Sequence, residues 1–484
     1  MKKIISSLLI CALLTVSLFG CGKKEIDRTK SAIYTDNFEI TTSILTYYFN
    51  AQYLTFLTTY KSNLDAIGLD PSVPLAEQEC GIASGTNWYD YFMDIAKERL
   101  TQCLVVAEQA KLDGVKLNKK SLKEVDEVKN TIIADAKDNG LSTEDYVTKN
   151  FGKGVTLDDI IECTKMERLT SQYYDTFVKD LDTSEEAMEK YFEGHKKSYC
   201  TVDYMVFSFP IDTTDQLEIN EIHGRAINLS EAPSPEKFKE GVKKYLFEYY
   251  ENNYVSLSSE EIESKVDAAI ANISITNAPY SSSSSASRWA FADGRNAGDG
   301  IVIKNEEQNS YDVYYLVSAP KREETHITTL RQILIDPDTY KNAKAAKKQA
   351  NEILETLKSR EFNKKDFIKL ASEYSDDEAT ATSGGLYKDI TVGMLKDASE
   401  VEEWLFSLER FAGDSAVIKT AAHGYHVVYI ESKGDPVWLE QVKTGFKSSR
   451  FEDYISELCD EYMVYENNNI IYKITEVDKS ESEI

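Results

Sequence analysis

A stretch of sixteen residues occurs twice in this chain, and this repetition constrains the fold more than any other feature. Trp289–Lys304 and Trp404–Lys419 align without a gap, and nine of the sixteen positions are identical. Agreement of this kind over a fixed offset indicates a duplicated structural unit rather than chance. The sequence therefore predicts two related domains, one following the other along the chain.

The segments around each repeat predict a small α+β unit. Each copy opens and closes with a strand-like apolar run and has two helical stretches between these runs. The predicted strands are Val202–Phe207 and Tyr311–Tyr315 in the first copy, and Leu330–Ile335 and Tyr425–Tyr429 in the second. The predicted helices are Pro235–Tyr250 and Ser258–Ile273 in the first copy, and Tyr340–Leu357 and Phe367–Tyr374 in the second. A unit of about 110 residues is large enough to form its own core.

The flanks of the duplicated region predict a helical module. Residues 37–199 place apolar side chains at three- and four-residue spacing, and Ser142 and Thr156 stand where helix N-caps are expected. Residues 434–484 add a helix from Val437 to Tyr465 and a short strand over Asn469–Thr475. The predicted fold class is therefore α+β multidomain, with two α+β domains inserted into a helical module built from both ends of the chain.

The first residues predict export. Lys2 and Lys3 precede the apolar run Ile4–Phe19, which is shorter than the roughly 20 residues of a membrane-spanning helix. The run ends in Leu-Phe-Gly-Cys, which resembles a bacterial lipobox, so residues 1–20 are expected to be a signal peptide and Cys21 the lipidated residue. Residues 21–36 are then a linker, and the rest of the chain is expected to be extracytoplasmic and anchored to the cell membrane by lipid.

The composition narrows the functional classes. The 484 residues carry a formal net charge of −27 and have no basic segment beyond the N-terminus, which argues against nucleic acid as a partner. Five histidines without a zinc or nucleotide motif predict neither metal nor cofactor. Most of the remaining cysteines are expected to be buried apolar residues, with one disulfide left open. These cysteines are Cys80, Cys103, Cys163, Cys200 and Cys459.

The second copy resembles the parvulin-type peptidyl-prolyl isomerase domain over residues 326–433. The order and spacing of several short motifs carry this resemblance. They are Tyr374-Ser375-Asp376-Asp377, Gly384-Gly385-Leu386, Met394, Phe406-Ser407-Leu408, Gly413-Asp414 and Gly424-Tyr425-His426-Val427-Val428. With the lipobox and the helical flanks, the plan of the whole chain resembles the PrsA-like foldase lipoproteins and the SurA-like periplasmic chaperones.

The resemblance implies a site and a mode of action. Isomerases of this family twist an X–Pro amide over a barrier of about 18–20 kcal/mol, without breaking a bond and without a metal or cofactor. Its catalytic polar group is expected at His426, Asp377 and Gln332, where Gln332 replaces the histidine usual in the first strand. Its substrate-binding socket is expected at Leu386, Met394, Val401 and Phe406. Ordinary structural roles for these residues, such as a core histidine or a turn-capping Asp377, remain open.

The first copy, residues 200–322, departs further from the family. Tyr204 is placed at the first histidine position and Asp312 at the second, and serine-rich sequence over Pro279–Ser287 replaces the Gly384-Gly385-Leu386 segment. The sequence therefore predicts a degenerate parvulin-like scaffold without a working pocket.

Two functions from different classes remain open. The first is a membrane-anchored isomerase and foldase that acts on unfolded, proline-containing exported proteins. The second is a holdase chaperone that uses the parvulin-like domains only to bind unfolded chains. The resemblance also leaves a homodimer open.

Overall fold

The computed structural model describes residues 29–254, 256–360, 362 and 364–477. The predicted signal peptide and Cys21 lie outside these residues. The chain divides into two compact units, one taking the residues up to Asp182 together with those from Lys447 onward, and the other Thr183–Phe446. The predicted fold class, α+β multidomain with two similar inserted domains, is confirmed by three small antiparallel sheets combined with many helices.

The N-terminal part of the first unit consists of helices preceded by two short strands. Polar caps explain where the helices begin, because Asn87, Asn118, Ser142 and Thr156 each accept a backbone N–H three residues further on. The elements are β1 Ser31–Tyr34, β2 Glu39–Thr41, α1 Thr42–Tyr60, α2 Trp88–Leu112, α3 Lys119–Asp138, α4 Thr143–Phe151 and α5 Leu157–Phe177. The predicted linker 21–36 is therefore partly structured, since β1 falls inside it.

The first inserted domain begins with two short helices. Its elements are α6 Glu185–Gly194, α7 Lys196–Tyr199, β3 Thr201–Pro210, α8 Gln216–Ser230, α9 Pro235–Asn253, α10 Ser259–Ala271, β4 Ser274–Pro279, α11 Ser285–Ala290, β5 Gly300–Asn305 and β6 Ser310–Leu316. The strands form an antiparallel sheet in the order β4-β3-β6-β5. Met188 and Phe192 of α6 pack in a buried cluster with residues of this unit, so the boundary between units falls before α6 and not at residue 199.

The second inserted domain repeats this topology. Its elements are β7 His326–Ile335, α12 Ala343–Ser359, α13 Lys364–Tyr374, α14 Glu378–Ala381, β8 Leu386–Ile390, α15 Ser399–Phe406, β9 Ser415–Thr420 and β10 Gly424–Pro436. The strand order is β8-β7-β10-β9, and every neighbouring pair is antiparallel. Helix α12 packs on β10 and β9, and α8 packs on β6 and β5 in the same way. The counterpart of α12 is therefore α8, and the prediction that Pro235–Tyr250 fills this place was wrong.

Strand register corrects a second correspondence between the two domains. In the first domain Val206 pairs with Tyr314, and in the second Gln332 pairs with Val428, each on the central strand pair. Since Tyr314 and Val428 occupy equivalent positions, Val206 and not Tyr204 stands where Gln332 stands. The gap-free repeat covers only residues 289–304 and 404–419 and does not reach the first strands, so it could not fix this correspondence. Asp312 does occupy the position of His426, as predicted.

The repeated motif forms the same local structure in both domains. The Arg295 guanidinium lies 5.2 Å from the ring centroid of Trp289 and pairs with Asp299, and Arg410 lies 5.4 Å from the ring centroid of Trp404 and pairs with Asp414. Each arrangement braces the loop between the short helix and the following strand. The shared residues of the repeat are thus explained by loop structure.

The chain ends in elements that belong mostly to the first unit. Helix α16, Val437–Glu461, begins within the second unit and continues into the first. A two-residue strand, β11 Tyr465–Glu466, pairs with β1, and α17, Asn468–Ile471, follows it. The predicted strand over Asn469–Thr475 was therefore wrong. Ile470 and Ile471 belong to the short helix α17, which buries both side chains. Within the described residues, no helix is long and apolar enough to cross a membrane.

Candidate functional site

Three side chains predicted as the polar group of the site lie in one connected network. His426 Nδ1, on β10, is 3.1 Å from Gln332 Oε1 on the neighbouring strand β7. Gln332 Nε2 is 3.4 Å from Asp377 Oδ2, at the turn before α14. Both His426 and Gln332 are buried, with 2% and 7% of their surface exposed. The sheet therefore positions two members of the network, and the turn before α14 supplies the third.

Thr420 extends this network at the histidine end. Its Oγ1 lies 3.1 Å from His426 Nε2, and it also accepts the backbone N–H of His423 at 3.2 Å. All bonds are satisfied when Thr420 donates to Nε2 and Nδ1–H donates to Gln332, whose amide then donates to Asp377. The chain of donors therefore runs in one direction, from Thr420 to the carboxylate.

Asp377 accepts the last hydrogen bond of this network, from the Gln332 amide, and other donors hold its carboxylate in place. Tyr387 donates to Oδ2 at 2.7 Å, and Thr380 donates to the same oxygen. Burial tends to raise the pKa of Asp377, but the hydrogen bonds from Thr380, Tyr387 and Gln332 outweigh it and lower that pKa below its usual range. Asp377 is therefore ionised at neutral pH.

His426 is held in its neutral form. Burial, together with the nearby His423, lowers the pKa of His426 from 6.5 to about 4, although Glu400 and Asp377 act in the opposite sense. A neutral imidazole at pH 7 can donate one hydrogen bond and accept another, which is how the network uses it. His426 is thus suited to orienting Gln332 rather than to transferring a proton.

A buried arginine holds the double-glycine segment beside the network. Arg331, only 1% exposed, forms an ion pair with Glu431 and donates from Nη1 to the Gly384 carbonyl at 2.8 Å. The backbone N–H of Gln332 donates to the Gly385 carbonyl at 2.9 Å. Gly385 has φ of 65°, and a Cβ there would lie 1.8 Å from the Gln332 carbonyl oxygen. Only glycine allows this close approach.

The four predicted socket residues differ in accessibility. Met394 is 57% exposed, whereas Leu386 and Phe406 are partly buried. Val401 is fully buried in the apolar cluster under α15, with Leu330, Leu405 and Val428. Its role in this structure is packing, so the predicted substrate contact at Val401 does not fit the geometry.

Glu402 positions the loop that carries Met394. Its two carboxylate oxygens accept the backbone N–H groups of Gly393 at 2.9 Å and Leu395 at 2.8 Å, on either side of Met394. The loop is therefore fixed from α15 by two charge-assisted hydrogen bonds. A carboxylate with this function could not be recognised from its sequence position.

Sequence reasoning also missed Thr420, Tyr387 and Arg331. Thr420 was detectable, because it lies two residues beyond the partner of His426 on an antiparallel strand, where diagonal contacts occur. Tyr387 and Arg331 depend on the register of β8 against β7, which no sequence pattern specified. Among the described residues no group of three His, Cys, Asp or Glu side chains is placed to hold a metal ion.

The equivalent positions of the first domain hold a different polar pair. Asp312 accepts from Asn305 Nδ2 at 3.0 Å and from Ser310 Oγ at 2.7 Å. Asn305 stands where Thr420 stands, so the contact between neighbouring strands is retained with other chemistry. Val206, at the position of Gln332, can make no hydrogen bond through its side chain. A hydrogen-bonded network through this position, like that of the second domain, therefore cannot form in the first domain.

These features define the region of β7 to β10 as a parvulin-type α+β domain. Residues 332–432 match the family model described as "Rotamase: PPIC-type PPIASE domain". The predicted resemblance of residues 326–433 to this isomerase family is thus confirmed.

Individual relatives match parts of the chain. Foldase protein PrsA 1 of Listeria monocytogenes serotype 4b is 27% identical over 152 residues, which are 31% of this chain and 44% of the relative. PrsA 1 of Listeria innocua serovar 6a is 26% identical over equal shares of the two chains. The chain therefore spans less than half the length of these curated relatives.

Two solved structures are also similar to parts of the chain. A PpiC-type peptidyl-prolyl cis-trans isomerase domain is 21% identical, covers 23% of this chain and 95% of its own, and has a TM-score of 0.20. Peptidylprolyl isomerase (PrsA) from Bacillus cereus is 14% identical, covers 63% of this chain and 86% of its own, and has a TM-score of 0.19.

Proposed function

We propose that this protein is an extracytoplasmic foldase whose residues 326–433 catalyse cis–trans isomerisation of X–Pro bonds in unfolded exported proteins. The observation that carries the proposal is the connected network of Thr420, His426, Gln332 and Asp377 in a PPIC-type domain. The clients are proline-containing chains that are not yet folded.

The network suits a reaction that moves no proton. Isomerisation needs the twisted amide to be favoured over the planar one, and fixed polar groups achieve this without reorganising during the reaction. A neutral His426 keeps Gln332 oriented, and an ionised Asp377 accepts its amide N–H. Leu386 directly follows the glycine segment held by Arg331, so an apolar wall stands next to the polar group.

The experiment is an isomerisation assay with a proline-containing tetrapeptide and the full chain. Met394→Ala is expected to reduce the rate sharply, because this exposed side chain is the most accessible of the proposed socket. Asp312→Asn in the first domain is the matched control and should leave the rate unchanged. Activity that survives Met394→Ala and disappears with Asp312→Asn would assign catalysis to the other domain.

A holdase without catalysis is the second candidate. Two observations favour it: Gln332 replaces a histidine, and the loops of this domain expose Leu408 (97%), Phe411 (67%) and Met394 (57%). Such side chains can bind unfolded chains without accelerating isomerisation. The full protein would then suppress aggregation of a denatured client while leaving the tetrapeptide rate at background.

The proposed location is the outer face of the cell membrane, with lipid on Cys21 as the anchor. Substituting Cys21→Ala should prevent lipid attachment and release the protein from the membrane fraction, since acyl chains supply the membrane affinity. Fractionation of cells that express the two forms measures this directly. Unchanged membrane retention together with loss of the lipid label would argue for the apolar N-terminal run as the anchor.

A further inference from the structure

The polar network of the second domain ends in a carboxylate whose hydrogen-bond donors are all uncharged. The side chains that donate to Asp377 Oδ2 are those of Gln332, Thr380 and Tyr387. An amide and two hydroxyls supply hydrogen bonds without supplying positive charge. These hydrogen bonds, and not a neighbouring cation, lower the pKa of Asp377. Asp377 therefore brings a full negative charge to the site.

A second carboxylate stands at the other end of the network. Glu400, in the first turn of α15, accepts the backbone N–H of Ala421 at 2.9 Å, directly after Thr420 at the end of β9. The charges of Glu400 and Asp377 both act to raise the pKa of His426, so both carboxylates lie close to the imidazole. The network therefore has one carboxylate near each of its ends.

The positive charges of this domain are engaged elsewhere. Arg331 is close to the network, but its guanidinium pairs with Glu431. Among the described residues, neither Asp377 nor Glu400 has a lysine or arginine within ion-pair distance, and the ion pairs of this domain join other side chains. The negative charges of the two carboxylates are therefore not balanced by the protein itself.

We propose that this site prefers substrates with lysine or arginine immediately before the proline, and that Glu400 is a specificity-determining residue. The proposal rests on the proposed isomerase function and names the substrates that the site favours. The network acts on the X–Pro amide, and the side chain of X branches from the carbon bonded to the amide carbonyl. X is therefore close to both carboxylates, which attract a cationic side chain and repel an acidic one.

Glu400 allows the charge to be removed while the local contact is kept. Its carboxylate bonds the backbone of the turn after β9, so Glu400→Gln retains an acceptor for the Ala421 N–H. Glu403, on the same helix, is exposed and provides a matched control. Glu403→Gln removes the same formal charge from the chain, so it measures the effect of net charge alone.

The experiment uses the full chain and three tetrapeptides that differ only in the residue before proline, which is lysine, alanine or glutamate. Because the exposed His423 also lies near His426, the assay is run at pH 8, where an ordinary histidine is neutral. We expect kcat/KM to be about tenfold higher for the lysine peptide than for the glutamate peptide, with alanine between them. Salt at about 1 M should reduce this ratio by screening the charges.

The ratio of the lysine to the glutamate peptide is then compared between variants. Glu400→Gln should lower it about threefold, and Glu403→Gln should leave it at the native value, because the attraction falls with distance. A general loss of activity or stability cancels, since both peptides are measured with the same protein. A native ratio near one overturns the proposal, and an equal ratio in the native chain and Glu400→Gln overturns the assignment of Glu400. An equal fall in both variants also overturns that assignment, because net charge then explains the preference.

A binding measurement keeps this proposal distinct from the proposed function. The three peptides compete with a fluorescent lysine–proline peptide for the full chain, which reports preference without turnover. Background rates with all three peptides contradict the isomerase function, and tighter binding of the lysine peptide then still supports the charge preference. Isomerisation of all three peptides at equal rates contradicts only the preference.

Discussion

His426 and Gln332 lie on neighbouring strands with Nδ1 and Oε1 3.1 Å apart, and both side chains are almost completely buried. Gln332 therefore has one oriented partner on each side, His426 and Asp377. An amide in such a position is fixed without being charged. The predictions below follow from this relationship and from the contacts that hold the surrounding loops.

Replacing His426 by glutamine should cost little, and replacing it by leucine should cost more. Glutamine keeps a donor and an acceptor, so we expect a loss of about 1 kcal/mol in transition-state stabilisation for an altered hydrogen bond. Leucine leaves Gln332 and Thr420 without their partner in a buried site. Tetrapeptide rates and thermal unfolding of both variants measure this. A folded His426→Gln protein as inactive as His426→Leu would contradict an orienting role.

The stability of the protein should depend on His426 between pH 6.5 and 4. The pKa of His426 is about 4 in the folded chain and 6.5 when exposed, so across this window only the unfolded chain binds the proton. Stability is complete above pH 6.5 and falls as the pH decreases toward 4, by up to about 3 kcal/mol. Urea unfolding of the native chain and His426→Gln at pH 7 and 4.5 isolates this contribution. Identical pH dependence in both proteins would contradict it.

Arg331→Met should destabilise the second domain, even though the first domain carries Met205 at the equivalent position. Removing the guanidinium takes its side-chain donor from the Gly384 carbonyl and leaves the Glu431 carboxylate with only the exposed Lys364. We expect a loss of about 2 kcal/mol in the free energy of unfolding, because Glu431 is partly exposed. Lys364→Met is the control, since it removes an exposed cation 3.7 Å from the same carboxylate. Denaturant midpoints that shift equally for both variants would contradict the special role of the buried arginine.

Glu402→Ala should raise KM for a proline-containing peptide about fivefold with little change in kcat, because two hydrogen bonds to the Met394 loop are lost. Glu402→Gln keeps one acceptor and should recover part of the effect. Glu403→Gln, the exposed neighbour on the same helix, should have the native KM. A fall in kcat with KM unchanged would place Glu402 outside substrate positioning.

Much of the fold was predictable because its signals are local. The helix Trp88–Leu112 and the starts of α3, α4 and α5 follow from apolar periodicity and from caps that sit in the sequence. Helix α8, which covers the sheet of the first domain, was not predicted. The helix that begins at Pro235 was given this place, because nothing in the local sequence distinguishes a helix that covers the sheet from an additional one. The strand predicted at Asn469 failed because a short apolar run fits a buried helical turn equally well.

The site residues also fall into those that local sequence motifs predict and those that depend on contacts between distant residues. Gln332, Asp377 and His426 were found because they sit in motifs, and the structure brings them together. Val401 was misplaced because an apolar residue at helical spacing looks the same in a core as in a pocket. Arg331, Tyr387 and Glu402 act through register and loop contacts that join residues 7 to 100 positions apart. Those contacts exist only after the sheet is assembled.

The paired Trp–Arg contacts imply that the loop between the short helix and the following strand is held in the same way in both domains, while its exposed residues are free to differ. Where the second domain exposes Leu408 and Phe411, the first has Asp293 and Asn296 at the same places on the same scaffold. Apolar tips are therefore not required for folding, and the two loops could be transplanted in either direction without disturbing the residues that anchor them. One molecule therefore contains a polar and an apolar version of the same loop, and each can serve as the control for the other.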